Sequence, residues 1–259
     1  MTPKFTLKNI KKSFGHKHVL QGVNLEVFTG ESMVIIGGSG TGKSVLLKCL
    51  LGLIQVDSGS IKMDGKDILE ESLTQHEERL QDIGVVFQGS ALFDSLKVWE
   101  NVAFRLIHAQ HMDRKQAKQI ALQKLSAVGL SESVAELSPA EISGGMQRRV
   151  ALARAIATQP HILFFDEPTS GLDPIFSSVI NDLIRRSVQD LGATAITITH
   201  DMNSARHIGD RIAMLYDGKI VWCGPAHEID NCDNPYVQQF IHGLPTGPIQ
   251  LETDIRHVA

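Results

Sequence analysis

The chemistry of this chain begins at Gly37, where Gly-Gly-Ser-Gly-Thr-Gly-Lys-Ser runs to Ser44. From Gly37 the spacing fits G-x-x-x-x-G-K-[ST], a phosphate loop. Gly37, Gly38, Gly40 and Gly42 let the backbone turn tightly round an anion, so the loop's N–H groups, through Ser39 and Thr41, converge on it. A helix opening after the loop adds the positive end of its dipole. Lys43 then reaches the terminal phosphates as a point charge, and the Ser44 hydroxyl is placed for Mg²⁺.

A metal beside phosphates needs a carboxylate from a second strand. The stretch "ILFFDEP" supplies Asp166 after four apolar residues, with Glu167 next to it. In isolation an Asp-Glu pair reads as solvated surface, but the apolar run before it and Pro168 behind it mark a strand that ends in acid. Asp166 is expected to bind the metal through its water shell, and Glu167 to polarise the attacking water. Gln88 ends "IGVVFQ" and His200 ends "TAITITH" in the same way, at the carboxyl ends of expected parallel strands, where ligands of open α/β sheets gather. The Gln88 amide suits metal or water, and a neutral His200 suits a γ-phosphate oxygen. A lone histidine is more commonly a satisfied structural residue.

A second glycine loop, Ser143-Gly144-Gly145, opens another helix whose residues Met146, Val150, Ala153 and Ala157 fall on one stripe. The chain thus has two helix starts suited to an anion and one phosphate-loop lysine to serve them.

These residues need a scaffold that brings strand ends together. Residues 5–36 read as β hairpins built from "FTLKNI", "VNLEV" and "SMVII". A helix is expected from Ser44 to Leu53, a hairpin turning at Asp64-Gly65, and helical periodicity from Glu100 to Gly129 with Asp113 as an N-cap. Pro160 closes the helix that opens at Ser143. "ILFFDE" and "TAITITH" read as buried strands on either side of a helix from Phe176 to Leu191, and Asp217-Gly218 turns a last hairpin. Strand and helix alternate in the second half, which implies an α/β chain with a parallel sheet.

Hydrophobic residues make up 42% and charged ones 21%, ordinary globular usage that excludes disorder. The net charge of −4 argues against a nucleic-acid backbone as partner. No apolar run approaches the roughly 18 residues a bilayer span requires, and the N-terminus lacks a signal-peptide core. A cytosolic chain is expected, reaching a membrane only through partners. Cys49, Cys223 and Cys232 form no CxxC pair, so neither a disulfide framework nor a zinc site is expected, and Cys49 is expected in a core.

The phosphate loop, Gln88, "ISGGMQ", "ILFFDEP", "SGLD" and His200, in this order, resemble the nucleotide-binding subunits of ATP-binding cassette (ABC) transporters, from Phe5 to about His242. The resemblance implies the ABC ATPase form of the P-loop NTPase fold: a mainly parallel sheet, an antiparallel β subdomain and a helical subdomain inserted at about residues 89–159. Residues 1–243 would be the nucleotide-binding domain and 244–259 a C-terminal extension. ATP and Mg²⁺ are implied as cofactors, with hydrolysis between two copies facing head to tail. Ser143, Gly144 and Gly145 of one copy would close over the ATP held by Lys43 of the other, so one lysine per chain suffices. Phe14 falls where the family stacks an aromatic ring on adenine, although in "SFG" it is also a candidate core anchor. Asp173 falls in the loop that crosses the dimer interface. The family's usual leucine and first glutamine are here Ile142 and Met146, and neither change removes an N–H donor.

Shorter stretches, "ALFDSL", "ENVAF" and "FIHGLPTGPI", look like the ATPases of the maintenance-of-lipid-asymmetry (Mla) phospholipid transporters of Gram-negative inner membranes. That likeness implies transmembrane permease subunits, a periplasmic lipid-binding subunit and a STAS-domain protein as partners, and a place on the cytoplasmic side of the inner membrane. The tail would reach across to the second ATPase, or else be a frayed end. An ATPase for import of amino acids or another small solute is the alternative within the class. A DNA-associated ABC-type ATPase is a remote one, because the interval from Ser44 to Asp166 holds no sustained heptads. A P-loop kinase would need an acceptor pocket where Ser143–Gly145 lie, and that loop offers it no obvious specificity.

Overall fold

The computed structural model describes residues 2–250. Strand β1 (Pro3–Phe14) pairs antiparallel with β2 (Lys17–Phe28), and β3 (Ser32–Ile36) leads through the phosphate loop into α1 (Lys43–Leu50). Strands β4 (Ser58–Met63) and β5 (Lys66–Asp67) form the expected hairpin, with both corner residues, Asp64 and Gly65, at positive φ as a type I′ turn requires. Next come α2 (Leu73–Gln81), β6 (Ile83–Val86), α3 (Val98–His108), α4 (Arg114–Ala127), α5 (Gly144–Ile156) and β7 (Ile162–Asp166). Then follow α6 (Pro174–Leu191), β8 (Thr194–Thr199), α7 (Met202–Ile208), β9 (Arg211–Tyr216), β10 (Lys219–Pro225) and α8 (Pro235–His242).

The strands form a four-stranded sheet, β2-β1-β4-β5, and a six-stranded one, β10-β9-β3-β8-β7-β6. In the larger sheet all strands but the antiparallel edge strand β10 run parallel. Every residue of β3 is buried, and its side chains alternate between two cores. Met33 and Ile35 join α1 and the antiparallel sheet in a core with Phe5, Leu46 and Phe164, while Val34 and Ile36 join the core shared with α3 to α7. A strand covered on both faces carries a continuous apolar run. This corrects the hairpin expected for residues 5–36: "SMVII" leaves the antiparallel sheet and lies between β8 and β9.

Caps set the helix boundaries. Asp113 accepts from the N–H groups of Lys115 and Gln116 at the start of α4, and the stretch expected to be helical from Glu100 is two helices, separated where His111 takes φ 54°. Helix α6 begins before the expected Phe176 because Asp173 caps it and Pro174 occupies the first turn, where a missing N–H costs nothing. Three helices escaped the periodicity: α2 is mostly polar, and α7 and α8 have seven and eight residues. Their signals are caps, namely the Ser72/Gln75 capping box, Asp201, and Asn234 before Pro235. Cys49 is fully buried, and burial pushes its thiol up to about 11. Among the described residues no helix is long and apolar enough to cross a membrane. Of the C-terminal extension, residues 251–259 lie outside the described residues.

Candidate active site

Strands β3, β7 and β8 are neighbours in parallel register, Ile36 opposite Thr199 and Asp166 opposite Ile198, so their carboxyl ends open at one level. There a cleft of about 690 Å³ is lined by phosphate-loop residues between Gly38 and Ser44, together with Phe14, Gln88, Glu167 and His200. Residues from six separate stretches of the chain, Phe240 of α8 among them, thus meet at one place.

The loop's path demands its glycines. Gly37 and Gly42 take φ of 154° and 103°. A Cβ on Gly37 would sit 2.4 Å from the Leu215 carbonyl oxygen, and one on Gly42 3.0 Å from that of Val19. Gly42 is the N-cap of α1 and offers no side-chain acceptor, and the N–H groups from Gly38 to Ser44 find no acceptor among the described residues. The Thr41 hydroxyl donates to the Gly38 carbonyl at 3.0 Å. Lys43, only 7% exposed, donates to the carbonyls of Gly37 and Gly38 at 2.8 Å each. Burial lowers its pKa, opposed by attraction to Glu167 and Asp166. Of the three donors on its ammonium group, one is left for an anion.

Across from the lysine, the Ser44 hydroxyl donates to Asp166 Oδ1 at 3.3 Å. Desolvation raises the Asp166 pKa, the Ser44 hydrogen bond lowers it, and neighbouring Glu167 raises it. Strand alternation would send two consecutive acids to opposite faces. Instead Glu167 takes φ 49°, a left-handed conformation unusual for a non-glycine residue, which lets both serve the same site. Its N–H donates to the Ile198 carbonyl at 2.9 Å, and its Oε2 shares a hydrogen bond with His200 Nδ1 at 2.9 Å. Among the described residues no group of three or more His, Cys, Asp or Glu forms a metal cage. The oxygens of Ser44, Asp166 and Gln88 suit a hard cation that draws its other ligands from water and phosphate.

Ser143, Gly144, Gly145 and Asp173 do not line this cleft. Ser143 Oγ caps α5 by accepting from the Met146 N–H at 3.3 Å. A Cβ on Gly144 would meet nothing within 4 Å, and one on Gly145 would make an ordinary contact with the Phe176 ring at 3.5 Å. Nothing among the described residues requires glycine at either place. Asp173 Oδ1 accepts from the N–H groups of Ile175 and Phe176 at 3.0 Å, capping α6.

Several supporting residues lie outside the expected motifs. The Arg148 guanidinium donates to the carbonyls of Phe87 at 3.3 Å and Ser170 at 3.1 Å, tying the residue before Gln88 to the "SGLD" loop. Gln88 Nε2 donates to Ser170 Oγ at 3.4 Å. Buried Ser204 donates to Asp201 at 2.6 Å, accepts from Asn181 Nδ2 at 2.9 Å, and bonds Thr169 at 3.1 Å, joining α6 and the loop after Glu167 to the turn after His200. Such contacts are long-range and leave no periodic trace.

A phosphate loop, a strand-end Asp-Glu pair and a strand-end histidine on this two-sheet scaffold define an ABC-type ATPase. A family model described as ABC transporter matches residues 20–170, and the chain belongs to that family as an ATP-hydrolysing subunit. It is 43% identical to the chloroplastic protein TRIGALACTOSYLDIACYLGLYCEROL 3 of Arabidopsis thaliana, over 94% of this chain and 74% of the relative. It is 37% identical to the intermembrane phospholipid transport system ATP-binding protein MlaF of Haemophilus influenzae, over 95% and 93%. A probable amino-acid import ATP-binding protein of Bacillus subtilis is 40% identical over 91% and 95%. Among solved structures, a dimeric ATP-binding cassette in a post-hydrolysis state, bound to ADP and phosphate, is 34% identical with a TM-score of 0.79, over 86% of this chain and 98% of that one. The ABC ATPase fold expected from the motifs is the fold found.

Proposed function

We propose that this chain hydrolyses MgATP at composite sites between two copies of itself and so drives phospholipid movement through membrane partners. The convergence of Lys43, Ser44, Glu167 and His200 on one cleft, with Asp166 bonded to Ser44, carries the catalytic part. Lys43 and the free loop amides bind the phosphates. Ser44, Gln88 and, through water, Asp166 would hold Mg²⁺, which supplies charge neutralisation at the β- and γ-phosphates. Glu167 accepts a proton from the attacking water; His200 meets Glu167 through its Nδ1 in the nucleotide-free chain, and with ATP bound the one N–H of the neutral ring turns to donate to a γ-phosphate oxygen. Phe14 stacks on adenine; its 48% exposure and the Lys12 ammonium 5.4 Å from the ring centre favour that role over a core anchor.

Ser143, Gly144 and Gly145 close over the ATP of the second copy, with Asp173 at the interface between copies. That they do not line the cleft of their own chain, and the open space around Gly144, support this. Residues 1–243 form the nucleotide-binding domain, with 89–159 as its helical subdomain and 244–259 as an extension. The partners in this account are permease subunits, a periplasmic lipid-binding subunit and a STAS-domain protein, and the chain works on the cytoplasmic side of the inner membrane. Likeness to MlaF supports phospholipid as cargo, and the amino-acid import relative supports small-solute import as a second reading. Purifying the chain with its membrane partners and assaying ATPase in phospholipid vesicles separates them. Copurified phospholipid and stimulation by added phospholipid are expected; stimulation by an amino acid, with no bound lipid, would replace the lipid reading.

A further inference from the structure

Phe240, on α8 and the first residue of the stretch "FIHGLPTGPI", lines the cleft that holds Lys43, Ser44, Glu167 and His200. It is half-buried, packing in part on the core shared with α3 to α7. Helix α8 is anchored beside the carboxyl end of β9: the Tyr236 ring lies 5.0 Å from the Tyr216 ring, and Asn234 Nδ2 donates to the Val221 carbonyl at 2.9 Å. Strand β9 pairs with β3, Met214 opposite Ile36, directly before Gly37. The helix therefore stands beside the start of the phosphate loop, whereas Phe14 enters the cleft from the antiparallel sheet.

What holds so short a helix in place lies C-terminal to it. Gln239 is 5% exposed, and its Nε2 donates to the carbonyls of Leu244 and Ile249 at 3.2 Å each. Its Oε1 accepts from the Ile249 N–H at 2.6 Å. The segment wraps over this side chain so tightly that a Cβ on Gly247, at φ 155°, would sit 2.4 Å from Gln239 Oε1. Ile249 packs on the core, and the Gln250 N–H reaches the Tyr216 hydroxyl at 3.3 Å. A buried amide bonded on both its ends fixes the neighbouring residue, because leaving either end unpaired is costly.

We propose that Phe240 is a nucleotide-contacting residue, and that the segment Leu244–Gln250, stapled by Gln239, holds it against the bound nucleoside triphosphate. This rests on the reading of the Lys43 cleft as the ATP site. A partly exposed ring gains by being covered, so nucleotide that packs on it gains affinity from the apolar area removed from water. The ring holds no proton and no charge, so it serves binding and leaves the chemical step to others.

Titrating ATP, then ADP, into the full-length chain by calorimetry tests the proposal, with Lys43→Ala as control. Phe240→Ala is expected to weaken both Kd values by about three- to tenfold, as loss of part of an aromatic contact should, while kcat at saturating ATP stays within about twofold. Phe240→Leu, which keeps apolar bulk, is expected to restore most of the affinity. Gly247→Ala touches no nucleotide but forces the staple apart, and is expected to weaken binding in the same direction by a smaller factor. Unchanged Kd values for Phe240→Ala, with Lys43→Ala binding abolished, overturn the proposal and leave the site reading intact. A Lys43→Ala chain that binds normally overturns the site reading itself. Should Phe240→Ala fail to fold, equal affinity in Phe240→Leu, Phe240→Ser and the unaltered chain would also overturn the proposal. A melting temperature or kcat lowered without any change in Kd would mark Phe240 as packing only, and a Gly247→Ala chain of unchanged affinity would remove the staple from the account.

Discussion

Two helices begin at glycines in this molecule, and they differ in where the reason for the glycine lies. At α1, Gly37 and Gly42 sit at positive φ against backbone carbonyls, and no side chain caps the free amides. At α5, Ser143 satisfies the Met146 N–H itself, while Gly144 has open space around it. The first start is complete as an anion cradle within one chain. The second offers room that its own chain does not use, which is what a surface needs if another molecule's phosphate is to approach its backbone closely. Under the proposed function, that difference makes the two starts halves of one composite site rather than one whole site and a spare.

A mixing experiment can break that comparison outright. Lys43→Ala removes the phosphate charge from the α1 half, and Gly144→Asp puts a carboxylate at the α5 half without crowding its own chain. Each variant alone is expected to lose about 100-fold or more in ATP turnover, since each damages both sites of its homodimer. Mixed together, they form heterodimers in which one site takes Lys43 from one copy and Gly144 from the other. Turnover should reappear on mixing, read as phosphate release at constant total protein. A mixture as inactive as its parts would show that each chain uses its own glycine loop.

The next effect concerns the chemical step within the α1 half. Glu167→Gln keeps size and the contact with His200 but removes the proton acceptor, so turnover should fall by about 10²- to 10⁴-fold. ATP binding should persist, and size-exclusion chromatography with ATP should show an accumulated dimer. Normal turnover would remove Glu167 as the base and leave its φ of 49° without a catalytic reason.

Legibility in the sequence follows the same division. The phosphate loop, the acids ending β7 and the turn at Asp217-Gly218 announce themselves because a short stretch of residues contains its own physical reason. The place of β3 did not: an apolar run of five suits an edge hairpin or a doubly covered strand, and only α1 and the helices on the other face decide it. The roles of Arg148, Ser204 and Phe240 were illegible for a related reason, since each acts on partners from remote parts of the chain. Helices α2, α7 and α8 were missed, because each is too polar or too short to show a stripe and only its cap marks it.

The smallest expected effect measures what the finished half-site costs the protein that carries it. Burial raises the Asp166 pKa above its ordinary 3.8, so the folded chain binds that proton more tightly than the unfolded one. The stabilising contribution is therefore fully present below pH 3.8 and is lost as pH rises through the raised folded value, leaving a standing penalty at neutral pH. Asp166→Asn removes the charge at every pH. The nucleotide-free variant should melt a few degrees higher, about 2–4 °C, at pH 7. The gain should shrink as pH falls through the raised value, where the unaltered side chain takes up its proton. Attraction to Lys43, whose own pKa burial lowers, opposes the gain, because neutralising Asp166 leaves that ammonium with Glu167 as its remaining counter-charge. An Asp166→Asn chain that melts lower than its parent at pH 7 would mean that this attraction exceeds the desolvation penalty, and that the α1 half is held together by its charges even before nucleotide arrives.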